Sequence, residues 1–257
     1  MKKLIVIFAL GLIFIPLTTA QRQTDLERWH LKGHVKSVRV ERSSIMRREG
    51  ADVETPRKLL TVTDYNEEGN ITEELIYSIS DSSLEERTVY SSDEQGNRVE
   101  NVYKADGTFI KRFVFNLDAL GREAGGVVYN ANGVLRLRFV NSFDSDGRLT
   151  EATTYNSDGS LVSKSVHFYD SQGNETGYEI FNGSGIMTMK LSRSSNGTAS
   201  TIYNDNGTIL QSYASQASTI EYDSHGNWIK KSTPGSETHV GAANYYTSIM
   251  YRTITYY

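Results

Sequence analysis

Apolar and polar positions alternate along most of the chain with a period of two. Phe109, Lys111, Phe113 and Phe115 alternate with Ile110, Arg112 and Val114; Leu135, Leu137 and Phe139 alternate with Arg136 and Arg138; Leu149, Glu151, Thr153 and Tyr155 continue in the same style. Successive side chains of a strand point to opposite faces, so this pattern predicts β-strands with one apolar face and one mixed face. Beyond the first twenty residues no stretch carries a helical stripe, and Asp25 to His30 is long enough for one helical turn.

A recurrent turn separates these strands: an aromatic residue, then Asn or Asp, two further residues and Gly. It stands at Tyr65–Gly69, Tyr129–Gly133, Phe143–Gly147, Tyr155–Gly159, Tyr169–Gly173, Phe181–Gly185, Tyr203–Gly207 and Tyr222–Gly226, with weaker copies at Gly96, Gly107, Gly121 and Gly197, and Ser83 where a glycine is expected. The Asx side chain can accept from the backbone two residues on, and glycine at the fourth position takes the left-handed conformation that closes a hairpin with a bulge. From Gly107 the glycines fall at 121, 133, 147, 159, 173 and 185, at intervals of 14 and 12 in alternation. The repeat is therefore about 26 residues and holds two unlike turns. One class is followed by Asn or Arg (Asn70, Asn97, Arg122, Arg148, Asn174, Asn227), the other by Thr, Val, Ser or Ile. Consecutive hairpin turns lie at opposite ends of their strands, so the two classes mark two edges of one sheet.

The expected fold is all-β: an antiparallel hairpin meander of about a dozen strands, forming a twisted, coiled or partly closed sheet. The chain divides into a leader (1–20), an N-terminal strand and charged loop (21–58), the hairpin array (59–231) and a C-terminal loop with a closing strand (232–257). Within these, Leu31–Val40 reads as the first strand, Arg42–Lys58 as the charged loop, Ala214–Ser218 as an irregular excursion, Ser232–Gly241 as a loop around Pro234, and Tyr245–Tyr257 as the last strand.

Lys2 and Lys3, the apolar run Leu4–Pro16 and the small residues up to Ala20 have the form of a cleaved secretory signal; the apolar core is too short to span a bilayer, and no later segment of the chain is apolar enough to do so. Cleavage after Ala20 predicts a secreted or periplasmic protein with 25 basic against 31 acidic residues, a balance that disfavours a nucleic-acid partner. With no cysteine there is no disulfide, thiolate metal site, cysteine nucleophile or lipid-carrying N-terminal cysteine. Glycine is frequent (21) and proline scarce (3), as hairpin turns and unbroken ladders require.

The stretches FDSDGRLT at Phe143–Thr150, YDSQGN at Tyr169–Asn174 and YDSHGN at Tyr222–Asn227 resemble the YD repeat of the RHS family over residues about 59 to 231. The resemblance implies an envelope or extracellular location, spiralling β-hairpins and a scaffold or carbohydrate-binding role. The long array, self-cleaving segment and toxin tail of large RHS proteins are missing, and the period is longer than the usual YD unit. The hairpins also resemble, more faintly, MORN-type repeats and antitoxin-like proteins built from them.

No catalytic residues, cofactor or metal ligands are assigned. The histidines (His30, His34, His167, His225, His239) lack ligand spacing, and no G-x-S-x-G elbow supports a serine nucleophile. Asp144 and Asp146 fit turn capping better than a calcium loop, whose bidentate Glu would fall at Thr153. Glu73, Glu74, Glu85, Glu86 and Glu151 are available for a paired-carboxylate glycosidase site. Among the aromatics, Trp228, Tyr245, Tyr246 and Tyr251, near Tyr256 and Tyr257, are the candidates for ligand contact or for a cap over the last sheet edge. The leading expectation is a non-catalytic envelope scaffold or binder of a polysaccharide or protein partner. The alternatives are a carbohydrate-active enzyme and an antitoxin or immunity-type partner.

Overall fold

The structure is a computed structural model and describes residues 24–48, 51–194, 197–203, 208–239 and 242–257. The expected leader lies outside these residues, as does most of the Tyr203–Gly207 turn. A helix α1 (Asp25–Arg28) precedes the strands β1 (Val35–Arg48), β2 (Ala51–Glu54), β3 (Lys58–Tyr65), β4 (Ile71–Tyr77), β5 (Leu84–Ser92) and β6 (Arg98–Lys104). The chain continues through β7 (Phe109–Leu117), β8 (Glu123–Asn130), β9 (Leu135–Phe143), β10 (Leu149–Asn156), β11 (Leu161–Tyr169) and β12 (Glu175–Asn182). The last strands are β13 (Met187–Ser194), β14 (Gly197–Tyr203), β15 (Ile209–Gln216), β16 (Thr219–Tyr222), β17 (Trp228–His239) and β18 (Ala242–Tyr256).

The turn chemistry is as the sequence implies. Ten hairpin glycines, from Gly69 to Gly226, hold φ between +74° and +88°. In the turn after β9, Asp144 Oδ1 accepts from the N–H groups of Asp146 (3.0 Å) and Arg148 (2.9 Å), and the Gly147 N–H donates to the Asp144 carbonyl at 3.0 Å. A register shift follows at once between Leu149 and Glu151, the bulge that a left-handed glycine leaves behind. In the β4–β5 loop Ser82, not Ser83, takes the left-handed position, at φ 60°.

The ladder does not end where the sequence suggested. β1 pairs on one side with β3 and on the other with β18, Val38 standing opposite both Thr63 and Ile254. With β3 to β15 paired in order, β15 on β17 and β17 on β18, sixteen strands close into an antiparallel barrel. β2 extends the far end of β1, and β16 pairs with β17. The all-β antiparallel meander is as expected, while about a dozen strands in a twisted, coiled or partly closed sheet is corrected to eighteen strands among the described residues and full closure. The residues assigned to the charged loop 42–58 largely form the end of β1 and β2, while the loop around Pro234 is part of β17. Proline is tolerated there because it falls between the last β16 partner of β17, at Ser232, and the first β15 partner, at Gly235, where a missing N–H breaks no ladder bond on that side. The excursion at Ala214–Ser218 is the end of β15 and the step to β16.

Closure fixes which face is the lumen. Through the registers, Val38, Thr63, Glu74, Thr88, Val102, Lys111, Val128 and Leu137 share one face, and Arg39, Val62, Leu75, Arg87, Tyr103, Arg112, Tyr129 and Arg138 share the other. The second face carries most of the exposed mid-strand side chains, among them Arg39, Arg87, Arg112, Arg138, Val140 and Lys190, as expected where side chains splay apart on a convex wall. The path of the N-terminal segment agrees. Arg28 is anchored on Glu123 at the start of β8 (2.8 Å), and Lys32 N–H donates to Asn227, beside the start of β17 (2.8 Å). These anchors are eight strand steps apart either way around the ring, about 38 Å along the wall at about 4.8 Å per step. The four residue steps from Arg28 to Lys32 reach about 14 Å, so the segment crosses the mouth instead of following the rim.

This segment packs into a buried cluster on the wall. α1 is started by a capping box, Thr24 Oγ1 accepting from the Glu27 N–H and Glu27 from the Thr24 N–H. Leu26 and Leu31 then pack with Val35, Val38, Tyr65, Ile71, Tyr90, Ile254 and Tyr256. Burial pushes the Tyr65 phenol up to about 12. Elsewhere the wall is one sheet thick, and barrels of sixteen strands are wide enough to leave a water-filled interior.

Candidate functional site

The two turn classes lie at the two rims. The Asn/Arg class surrounds the mouth that α1 crosses, with Leu26 N–H bonded to Gly69 and Lys32 N–H to Asn227, and its side chains fold back on the turn Asx: Arg148 Nε donates to Asp144 Oδ2 at 2.6 Å, and Asn97 Nδ2 to Asp93 Oδ2 at 3.0 Å. Arg122 lies over the Phe143 ring and Arg148 over the Tyr169 ring, at 4.3 and 5.2 Å. The acidic turn of Asp144 and Asp146, which invited a calcium reading, is thereby held by its own backbone and by Arg148. Among the described residues no group of three His, Asp or Glu is placed to hold a metal.

Inside the mouth, Arg98 of β6 is the centre of a charged network. It meets Asp25 of α1 at 3.0 Å, Glu100 at 3.0 Å and Glu123 at 3.5 Å, and it lies over the Tyr90 and Phe115 rings. Asp25 also accepts from the buried Ile71 N–H at 2.9 Å. Tyr90 donates to Glu74 at 3.3 Å. Burial, opposed by Arg98 and helped by Glu123 and Glu74, raises the Glu100 carboxyl. These acids are held by cations or hydroxyls, and the network fastens the segment that crosses the mouth.

The carboxylates considered for paired catalysis are distributed by strand alternation. Glu73 faces outward on Arg87, and Glu151 faces outward on Lys164, whereas Glu74 and Glu86 face the lumen. Neighbours in sequence therefore stand on opposite sides of the wall. His167 bonds Glu175 at 2.8 Å, and His225 stacks on Tyr256 with ring centroids 4.1 Å apart.

The C-terminal aromatics are likewise split. Trp228 stacks on Arg252 at 3.7 Å. Tyr246 lines a luminal cavity. Tyr251 faces outward, donates to Glu54 at 2.9 Å and carries Arg57 over its ring at 3.5 Å. Tyr245 pairs with Ser236 in the β17–β18 ladder, and its side chain lies outside the described set. They cap no edge, because β18 is paired on both sides.

A broad hollow lies on the outer wall, across β6, β7 and β8. It encloses about 760 Å³ and is lined by Tyr103, Phe109, Tyr129, Asn101, Arg112 and Asn130, with Asp93 also contributing. The Tyr103 and Phe109 rings are tilted together at 5.5 Å. Phe109 reaches this face because a bulge at the start of β7 pairs it with Tyr103, so it does not share a face with Phe113 and Phe115 as strict alternation predicts. Tyr103 and Tyr129 each stand at a strand end in the alternating pattern; the missing signal was the bulge, which brings three rings to one side.

No family model matches the chain, and no curated protein matches it. Among solved structures, it is similar to a porin-like protein from Bacteroides uniformis ATCC 8492, with 11% identity and a TM-score of 0.50 over 86% of this chain and 96% of that one. It also aligns with the ywiB protein from Bacillus subtilis, at 9% identity and a TM-score of 0.20 over 89% of this chain and 98% of that one. The first likeness bears on the barrel fold alone.

Proposed function

We propose that the protein is an exported, non-catalytic binding barrel that holds an oligosaccharide against its outer wall. The observation that carries this reading is the hollow of Tyr103, Phe109 and Tyr129, in which three aromatic rings stand beside the amides of Asn101 and Asn130 and the guanidinium of Arg112. Rings that offer an apolar face, with convergent donors and acceptors around them, suit the apolar faces and hydroxyls of sugars. The YD-like repeats and the leader-like N-terminus support the compartment.

The neighbour titled porin-like raises a channel reading, which the outer wall does not favour. Arg39–Glu41, Glu73–Arg87, Glu151–Lys164 and Glu179–Lys190 are outward ion pairs within strands or across adjacent ones. A charged side chain on the lipid face of a membrane barrel costs about 2–4 kcal/mol at the midplane, so this belt favours water.

The test is retention of the protein on gels or columns carrying envelope polysaccharides, compared with Tyr103→Ala and Tyr129→Ala. The reading expects retention by at least one polysaccharide and its loss in both variants. A blank panel, or retention indifferent to both substitutions, contradicts it.

A further inference from the structure

A second cavity lies on the luminal face, away from the Arg98 network. It encloses about 380 Å³ and is lined by Arg42, Leu60, Ser215, Thr233, Gly235, Tyr246, Ser248 and Met250. The registers confirm that these residues form one patch: Arg42 stands opposite Met250, Ser44 opposite Ser248, Ser248 opposite Thr233, Tyr246 opposite Gly235, and Gly235 opposite Ser215. Gly235 leaves the space that the Tyr246 ring occupies, since an added Cβ would sit 3.3 Å from it.

This wall carries three cations. Lys231 stands opposite Met250 in the row that contains Arg42, and Arg252 opposite Val40 is in the next row. Among the described residues none of the three forms an ion pair with a carboxylate, in contrast to Arg28 and Arg98 at the mouth. Arg252 rests on Trp228, and its buried Nε has no hydrogen-bond partner. Burial also lowers its pKa. Guanidinium and ammonium groups that share a face and bond no carboxylate are free to bind an anion by charge-assisted hydrogen bonds. Next to them, Leu60, Met250 and the Tyr246 ring supply apolar surface.

We propose that this luminal patch is a binding site for an amphiphile with an anionic head, carboxylate or phosphate, on a short apolar chain. The head would meet Arg42 and Lys231 with the hydroxyls of Ser248 and Thr233, and the chain would lie on Met250, Leu60 and Tyr246. This site is separate from the outer hollow and does not depend on the oligosaccharide reading.

The experiment is calorimetric titration of the full mature chain with octanoate, octyl phosphate, 1-octanol and acetate at neutral pH, with Trp228 fluorescence followed in parallel. The proposal expects octanoate or octyl phosphate to bind at least tenfold more tightly than 1-octanol and acetate, and the ratio of the two anions tells carboxylate from phosphate preference. Arg42→Gln and Lys231→Gln should each weaken the preferred anion, Arg42→Gln at least tenfold, while Tyr129→Ala leaves it unchanged. Lys231→Gln provides the reading if Arg42→Gln fails to fold. Equal binding of 1-octanol, no binding of either octyl anion, or unchanged affinity in the folded charge variants overturns it.

Discussion

Val38 near the start of β1 stands directly opposite Ile254 near the end of β18, so the first and last strands of the chain are neighbours in the wall. Val38 is 4% exposed and also faces Thr63 of β3. The seam is therefore packed as the interior of a sheet. Val38→Ala should cost about 2 kcal/mol, the range for removing buried methyl groups, in chemical unfolding followed by circular dichroism. A cost within about 0.5 kcal/mol would be the behaviour of an exposed edge.

Asp25 and Arg98 join the mouth-crossing segment to the wall, with side chains only 11% and 14% exposed. Removing Asp25 takes one of three carboxylates from the buried Arg98 and leaves the buried Ile71 N–H without its acceptor. Asp25→Ala should cost about 3 kcal/mol, and Asp25→Ala combined with Arg98→Met should cost clearly less than the sum of the two single changes. Strict additivity in a double-mutant cycle would show that the two groups do not act together.

The pH dependence of stability tests Glu100. Its carboxyl is raised by burial in the folded state, so folding favours the protonated form. Its favourable contribution is present below the ordinary value of 4.5 and is lost as pH rises from there through the raised folded value. Glu100→Gln has no such loss. The stability difference should therefore move in favour of Glu100→Gln as pH is raised from 4 to 7, read by denaturant midpoints. A pH-independent difference contradicts the assignment.

Three glycines separate backbone strain from crowding. Gly133 holds φ +74° with open space where a Cβ would stand, Gly147 holds φ +82° with Arg122 at 3.0 Å, and Gly126 has ordinary φ but would place a Cβ 2.4 Å from the Val114 carbonyl and 2.5 Å from the Phe139 ring. Gly133→Ala should cost about 1–2 kcal/mol from the left-handed conformation alone. Gly147→Ala should cost somewhat more as Arg122 is displaced, and Gly126→Ala the most, because backbone must move. Thermal melts giving the reverse order would contradict this account.

The hairpins were legible in the sequence because each turn is written locally, in Asx, glycine and the spacing between glycines. The alternation of Asn/Arg turns with Thr/Val/Ser/Ile turns correctly marked two rims. Closure was not legible, since the pairing of Val38 with Ile254 joins residues more than two hundred apart and nothing local encodes it. The strands in 42–58 and 232–241 were hidden by charge and by Pro234, whose tolerance depends on where its neighbours stop pairing. The outer hollow was missed because bulges such as the one beside Phe109 shift a ring to the other face, which breaks the period-two reading. Of the aromatics marked from sequence, Tyr246 lines a luminal cavity, while Tyr251 stands on the opposite face.

Closure of the barrel is tested most directly across its seam. Arg39 and Thr253 are exposed, outward-facing partners of β1 and β18, and the chain has no cysteine of its own. Directly opposed residues of an antiparallel pair have Cα atoms about 4.5–5.5 Å apart, within disulfide range. The double variant Arg39→Cys/Thr253→Cys should form an intramolecular disulfide in nearly every monomer on mild oxidation, seen as faster migration on non-reducing gels. Free thiols or disulfide-linked dimers, with folding intact, would show that the first and last strands do not meet.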